Sequence, residues 1–150
     1  AYVTQTTLSV DDTKDIVDEI KKHFLNVIEP KKNDICYATT NRQEAVKKVA
    51  ANCDYFLVIG ASNSSNSLRL VEVAKNYGSK KAILIEDVDS LNLSIFENTK
   101  NIGITASASS PEILVKKLID KLKNNFELHI NEAHYQKEDV YFKVPQKLKS

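Results

Sequence analysis

The sequence predicts an α/β fold with parallel sheets covered by helices, and three observations lead there. From residue 34 onward, short apolar runs alternate with helical patterns of about ten to fifteen residues, the arrangement of strands joined by right-handed crossovers. The run Tyr55-Phe56-Leu57-Val58-Ile59 is short, β-branched and aromatic, and Gly60 ends it, as in a strand covered on both faces. Three uncharged turns rich in Ser, Thr and Asn, at 4–9, 62–67 and 107–110, each follow a strand-like run. Guests of parallel sheets bind beyond the carboxyl ends of the strands, where such turns lie.

Taken in order, Tyr2 to Leu8 reads as an opening strand. Ser9-Val10-Asp11-Asp12 starts a helix, since Ser9 can cap the Asp12 N–H and the acids suit the positive end of the dipole. Ile16, Val17, Ile20 and Phe24 follow at helical spacing as its apolar face. Leu25 to Ile28 resembles a second strand, and Pro30-Lys31-Lys32-Asn33-Asp34 is the most linker-like passage. The boundary drawn there separates residues 1–33 from a unit at 34–123. Within that unit, a helix capped by Thr40 or Asn41 carries the stripe Ala45, Val46, Val49 and Ala50. Strand 55–59 leads to a helix at 66–77 with Leu70, Val71, Ala74 and Tyr77 on one face, and Gly78 stops it. A strand Ala82 to Ile85, a shorter helix near Ser90 to Glu97 and a strand Ile102 to Thr105 come next. Pro111 opens the last helix, with Val115, Leu118, Ile119 and Leu122 as its buried face. Residues 124–150 form a tail in which Leu128 to Ile130 and Val140 to Val144 read as short strands, the second ended by Pro145.

At 150 residues, with 42% hydrophobic and 27% charged positions, the chain can bury one sizeable core. The formal charge of +1 favours no polyanion, so neither nucleic acid nor a charged membrane surface is expected as partner. No apolar run reaches the ~20 residues that cross a bilayer. Cys36 and Cys53 are too few for a disulfide scaffold, which suits a reducing compartment. Because the chain opens at Ala1 and contains no Met, it is expected to be part of a longer protein.

The chemistry concentrates in the turns. Ser62, Asn63, Ser64, Ser65, Asn66 and Ser67 place small polar side chains at a helix start, where free N–H groups and the dipole favour an anion such as phosphate. The same residues also serve as ordinary caps and turn formers. Cys36 lies at the entry to a helix, a position that favours a thiolate and suits a nucleophile or a metal ligand, although a packed thiol fits there too. Cys53 reads as packing. His23, His129 and His134 lie far in sequence from the turns and read as solvated, Glu86, Asp87 and Asp89 as an exposed acidic turn, and Lys116 to Lys123 as a wet helix face.

Four segments carry a resemblance: Thr4 through Thr13, Asp34 through Gln43, Asn63 through Ser67, and Thr105 through Leu114. They closely resemble the 4-hydroxy-3-methylbut-2-enyl diphosphate reductase family, iron–sulfur enzymes that end the methylerythritol phosphate route to isoprenoid precursors. The tail Val140-Tyr141-Phe142-Lys143-Val144-Pro145 is similar as well, so the resemblance covers nearly the whole chain. It implies three similar α/β units in a pseudo-threefold assembly. Residues 1–33 would end the second unit, 34–123 form the third, and 124–150 pack on an amino-terminal half that lies outside this chain.

By the same resemblance, Cys36 is one of three thiolates holding a [4Fe–4S] cluster with one iron open to substrate. Ser64, Asn66 and Ser109 bind the diphosphate, and Ser65 helps through the adjoining turn. Thr6 contacts the hydroxyl end of the substrate and assists proton delivery, with Gln5 and Thr7 beside it. Ser107 stands where that family more often has Gly. The implied reaction is a two-electron, two-proton reductive dehydroxylation giving isopentenyl and dimethylallyl diphosphates, with ferredoxin or flavodoxin as electron donor, in a bacterial cytoplasm or a plastid. The two other cluster cysteines, substrate-binding histidines and a proton-donating glutamate belong to the amino-terminal half, so this chain alone is expected to be inactive. The reading set against it is a free-standing phosphate-binding α/β module without redox chemistry.

Overall fold

The computed structural model describes residues 1–30 and 34–133. The element order is α1 (Val10–His23), α2 (Tyr37–Ala50), β1 (Tyr55–Ile59), α3 (Ser65–Asn76), β2 (Lys81–Ile85), a 3₁₀ turn (Leu93–Phe96), β3 (Ile102–Ala106) and α4 (Glu112–Lys123). The strands form one parallel sheet in the order β2-β1-β3, with Leu57 opposite Ile83 on one side and Ile104 on the other. The predicted α/β class therefore holds. The central strand is the most apolar of the three, as expected for one covered on both faces.

Each face of the sheet has its own core. Phe56, Val58 and Ala82 pack against Val46 and Ala50 of α2 and Leu70, Val73 and Ala74 of α3. On the other face Leu57, Ile59 and Ile85 meet Phe96 and Leu118 and Leu122 of α4. Side chains alternate across a strand, so consecutive residues of β1 serve the two cores in turn. The chain goes from β1 to β2 on one side and returns to β3 on the other, which puts a topological switch point between β1 and β3.

Gly78, at φ +101°, stops α3 as anticipated, because only a residue without Cβ takes that conformation cheaply. Several other expectations are corrected. Tyr2 to Leu8 is not a strand: the Tyr2 N–H donates to the Ile28 carbonyl, but the Thr4 N–H goes to the Asp34 carboxylate, so no ladder develops. Leu25 to Ile28 and Leu128 to Ile130 form no strand either. The second helix starts earlier than predicted, with Cys36 as its N-cap residue rather than Thr40 or Asn41. The helix foreseen at Ser90 to Glu97 is the short 3₁₀ turn, and Pro111 caps α4 from outside instead of lying in its first turn.

The helix faces also differ in detail. On α1 only Val17 is buried, while Ile16 and Phe24 are exposed. On α2 the buried row is Thr39, Gln43, Val46 and Ala50, half of it polar. On α3, Val73 takes the buried place expected of Tyr77, which is exposed. The Val140 to Pro145 strand and His134 lie outside the described residues.

Candidate functional site

Three helix starts lie at the carboxyl edge of the sheet. Helices α3 and α4 begin just after β1 and β3, and α2, which returns the chain to the foot of β1, begins at the same edge. Each start presents unpaired N–H groups and the positive end of a dipole. The three polar turns occupy this edge, and specific contacts tie them together.

At the end of β1, Gly60 is needed for space. A Cβ there would lie 2.1 Å from the Ser67 hydroxyl and 3.5 Å from the Ser107 Cβ, so the start of α3 and the turn after β3 both close on it. The turn after β3 is fastened to β1: the Ser107 N–H (2.8 Å) and the Ser110 hydroxyl (3.0 Å) both donate to the Ile59 carbonyl. Ser107 is buried, and its hydroxyl lies within hydrogen-bond distance of those of Ser109 (3.3 Å) and Ser110 (2.9 Å), so this side chain organises the turn. Ser109 itself is exposed at its tip.

In the turn after β1, Ser64 caps α3 by accepting from the Ser67 N–H, and Ser65 is exposed. Asn66 is 7% exposed, and its Oδ1 is buried without a partner among the described residues. The oxygen and nitrogen of an amide exchange places by a half-turn, so this position can offer either a donor or an acceptor to a guest. The Ser67 and Thr7 hydroxyl oxygens and the Arg42 Nε are buried in the same unpartnered way. Buried polar atoms left so call for a partner, which a guest, a water or another part of the protein can supply, and Thr13 Oγ1 on α1 is in the same state.

The turn at 4–9 is held to the start of α2. The Cys36 N–H donates to the Thr6 carbonyl (3.2 Å), and Asp34 accepts from the Thr4 N–H (2.8 Å). Cys36 is a free, exposed thiol, not the packed one that its position also allowed, while Cys53 is buried as expected, donating to the Val49 carbonyl. Burial of the Cys53 thiol pushes its pKa up. Gln5 and Thr6 are exposed, and Thr7 is half-buried. Helix α2 in turn reaches β3, because Arg42 Nη1 donates to the Ala106 carbonyl (3.0 Å) just ahead of the Ser107 turn. The predicted residues therefore lie along one edge, in two linked groups: Gln5, Thr6, Thr7 and Cys36 in one, and Ser64, Ser65, Asn66 and Ser109 in the other.

Three residues at this edge escaped the sequence reading. Neither Arg42 nor Gln43 was singled out as a site residue, yet Gln43 is fully buried and bonds to the 4–9 turn. Only the spacing of Thr39, Gln43, Val46 and Ala50, a helical row that includes polar residues, could have signalled it. Glu86, read as part of an exposed acidic turn, is exposed and also accepts from the Ser62 N–H (2.7 Å), and that bond lowers its pKa. A carboxylate already uses one N–H of the turn in the way an anionic guest would.

Helix α1 is mounted on its neighbours by charge. Asp11 accepts from Lys47 (2.8 Å) and from the Tyr77 hydroxyl, which hold its pKa low in that order, and Arg69 pairs with Asp12 (3.2 Å). Burial alone would lower the Lys47 pKa, but the bonds to Asp11 and Glu44 outweigh it and the pKa is raised. A shallow depression of about 750 Å³ on the far side of α4 is a poorer candidate, since its Lys117 and Lys121 are engaged with Asp89 and with the Val88, Asp89 and Leu91 carbonyls. Among the described residues no group of three or more His, Cys, Asp or Glu side chains is placed to hold a metal. Cys36 is the only thiol at the edge among them, so a cluster there takes at most this one cysteine from the described residues. No helix among them is long and apolar enough to cross a membrane.

Fold and edge define an open α/β protein whose uncharged polar groups gather beside a switch point, the class in which guests sit at the carboxyl ends of the strands. The chain belongs to the LytB protein family, whose sequence model matches residues 1–123. It is 49% identical over 148 residues to a 4-hydroxy-3-methylbut-2-enyl diphosphate reductase of Phenylobacterium zucineum, a match covering 99% of this chain and 47% of that protein. A reductase of the same name from Serratia proteamaculans is 46% identical over 148 residues, 99% of this chain and 46% of the relative. Among solved structures, the E-1-hydroxy-2-methyl-but-2-enyl-4-diphosphate reductase of Plasmodium falciparum superposes with a TM-score of 0.78 at 36% identity, over 91% of this chain and 45% of that one. The chain thus spans about half the length of the curated relatives it matches.

Proposed function

We propose that this chain supplies the diphosphate clamp and one cluster thiolate of a 4-hydroxy-3-methylbut-2-enyl diphosphate reductase, an oxidoreductase of isoprenoid synthesis. The observation that carries the reading is the fastening of the polar turns to one edge: Cys36 N–H to Thr6 carbonyl, and Ser67 and Ser107 against Gly60. Residues 1–33 would close one α/β unit, 34–123 form the next, and 124–150 pack on the amino-terminal half, which supplies the remaining ligands.

Ser64, Ser65, Asn66 and Ser109 would bind the diphosphate. They carry no charge, so their affinity comes from donors fixed in advance on helix starts, which need no reorganisation when the anion arrives. Cys36 would be one of three thiolates of a [4Fe–4S] cluster; as an exposed thiol at a helix N-cap it is accessible and lies at the positive end of a dipole. When bound, the cluster would act as Lewis acid toward the substrate oxygen and deliver electrons from ferredoxin or flavodoxin. Thr6, with Gln5 and Thr7 beside it, would hold the hydroxyl end and relay a proton to the departing oxygen. In balance, two electrons and two protons break the allylic C–O bond, release water and form one C–H bond.

The test is to produce the chain together with the amino-terminal half of the reductase. A brown, iron-containing assembly that loses its iron when Cys36→Ser is introduced is the expected result. A colourless, iron-free assembly that still binds pyrophosphate would overturn the redox assignment and leave a phosphate-binding module.

A further inference from the structure

Gln43 lies on α2, two turns beyond Cys36, and is 0% exposed. Its Nε2 donates to the Leu8 carbonyl (2.8 Å) and its Oε1 accepts from the Val10 N–H (3.0 Å). Those two backbone groups flank Ser9, where the 4–9 turn ends and α1 begins. The same turn is gripped a second time by the same helix, at its N-terminus, where the Cys36 N–H meets the Thr6 carbonyl. Helix α2 is continuous between these points, so the turn is clamped near its middle and at its far end against one helix. Both ends of the buried amide are in use, and any slip of the turn would leave a donor and an acceptor unpaired in the interior. The neighbouring Arg42 grips the end of β3 instead, so consecutive residues key α2 to two different turns.

We infer that Gln43 is a positioning residue that fixes the separation of Thr6 and Cys36. The inference rests on the reading above that these two residues serve one reacting centre. Gln43 is fully buried with both ends of its amide spent on the backbone, so it acts through the turn that carries Thr6. A Gln at this place suits the task because one planar group offers a donor and an acceptor to two backbone groups at once.

The first experiment is amide hydrogen exchange on the full chain. Gln43→Met keeps the length of the side chain and its helix propensity while removing both hydrogen bonds. Protection of the Cys36 and Val10 amides is expected to fall about tenfold or more, while Leu57 and Val58 in the central strand hold within about twofold. Unchanged protection at Cys36 would overturn the inference, as would an equal fall in the strand, which would make Gln43 one more core residue. Gln43→Glu supplies the rescue: a protonated carboxyl accepts and donates as the amide does, so protection at Cys36 is expected to approach the parent value in acid. Failure to recover there counts against the inference.

In the assembled reductase, Gln43→Met is expected to lower kcat about tenfold or more with KM for the diphosphate substrate changing less than about twofold, because the Ser64 to Asn66 clamp is untouched. A raised KM at unchanged kcat would contradict the role. The exchange experiment needs neither iron nor substrate, so failure of the functional reading and failure of this inference are separately visible.

Discussion

Asn66 carries more of the case for an anion site than the serines around it. A hydroxyl rotates to satisfy whatever is near, but a buried amide in the first turn of α3 is held to few rotamers and still leaves its Oδ1 without a partner among the described residues. In the assembled enzyme, Asn66→Ala is expected to weaken pyrophosphate binding about tenfold or more, in line with the ~1.5–3 kcal/mol of a hydrogen bond to a charged group. Titration calorimetry reads this directly, and an unchanged affinity would remove Asn66 from the clamp. Gly60→Ala should act on the same site by another route, since the new methyl group would meet the Ser67 side chain and push the start of α3 outward. At this scale the sequence was informative about place where a residue belongs to its own turn: Ser64 at a helix start, Cys36 at a helix entry and Ser109 in the turn after β3. It was silent on the partners of Arg42, Gln43 and Glu86, which lie 64, 35 and 24 positions away in the chain. Nothing local distinguishes those residues from a wet helix face or an acidic loop.

Among the elements, the strands and the last two helices were legible because period and punctuation agree: short, mostly apolar runs, Gly78 at a stop, Pro111 at a start. Where pairing depends on a distant partner, the reading failed. The opening segment has strand composition, yet its N–H groups are spent on Ile28 and Asp34, and no propensity forecasts that. The feet of the three strands show the same dependence. Asp54 accepts from Lys80 Nζ (2.6 Å) and from the Lys100 (3.0 Å) and Asn101 (3.2 Å) N–H groups, which join the approaches to β1, β2 and β3. The Lys80 bond first, and then the two backbone bonds, lower its pKa from 3.8 to about 2. A carboxylate whose folded pKa is depressed stabilises the fold above its unfolded value, and that contribution is lost as pH falls through the folded one. The chain should therefore lose stability between about pH 4 and pH 2, and Asp54→Asn should flatten that limb of a pH-dependent thermal melt. Gly103→Ala tests the same end of the sheet: the Cβ would lie 2.5 Å from the Phe56 ring and 2.9 Å from the Cys53 sulfur. Overpacking of this kind costs ~1–3 kcal/mol, measurable as a lower urea midpoint.

For the molecule as a whole, stability should follow the two-sided burial of β1 and ignore the apolar residues at the amino-terminal end. Leu57 is fully buried between β2, β3 and α4, so Leu57→Ala should cost ~2–5 kcal/mol in urea unfolding with an unchanged slope. Leu25, which is 97% exposed, should tolerate Leu25→Ala within about 0.5 kcal/mol in this chain. The α/β class could be read from alternation alone, whereas the exposure of Ile16 and Phe24 on α1 could not, because an apolar stripe states which face wants cover and not what covers it. One consequence concerns the two sulfurs, which lie at opposite ends of the sheet, Cys36 in the open and Cys53 beneath Gly103. A maleimide dye should couple at once to the first and reach the second only when the interior gapes, so the delay between the two attachments is a built-in clock for breathing of the fold.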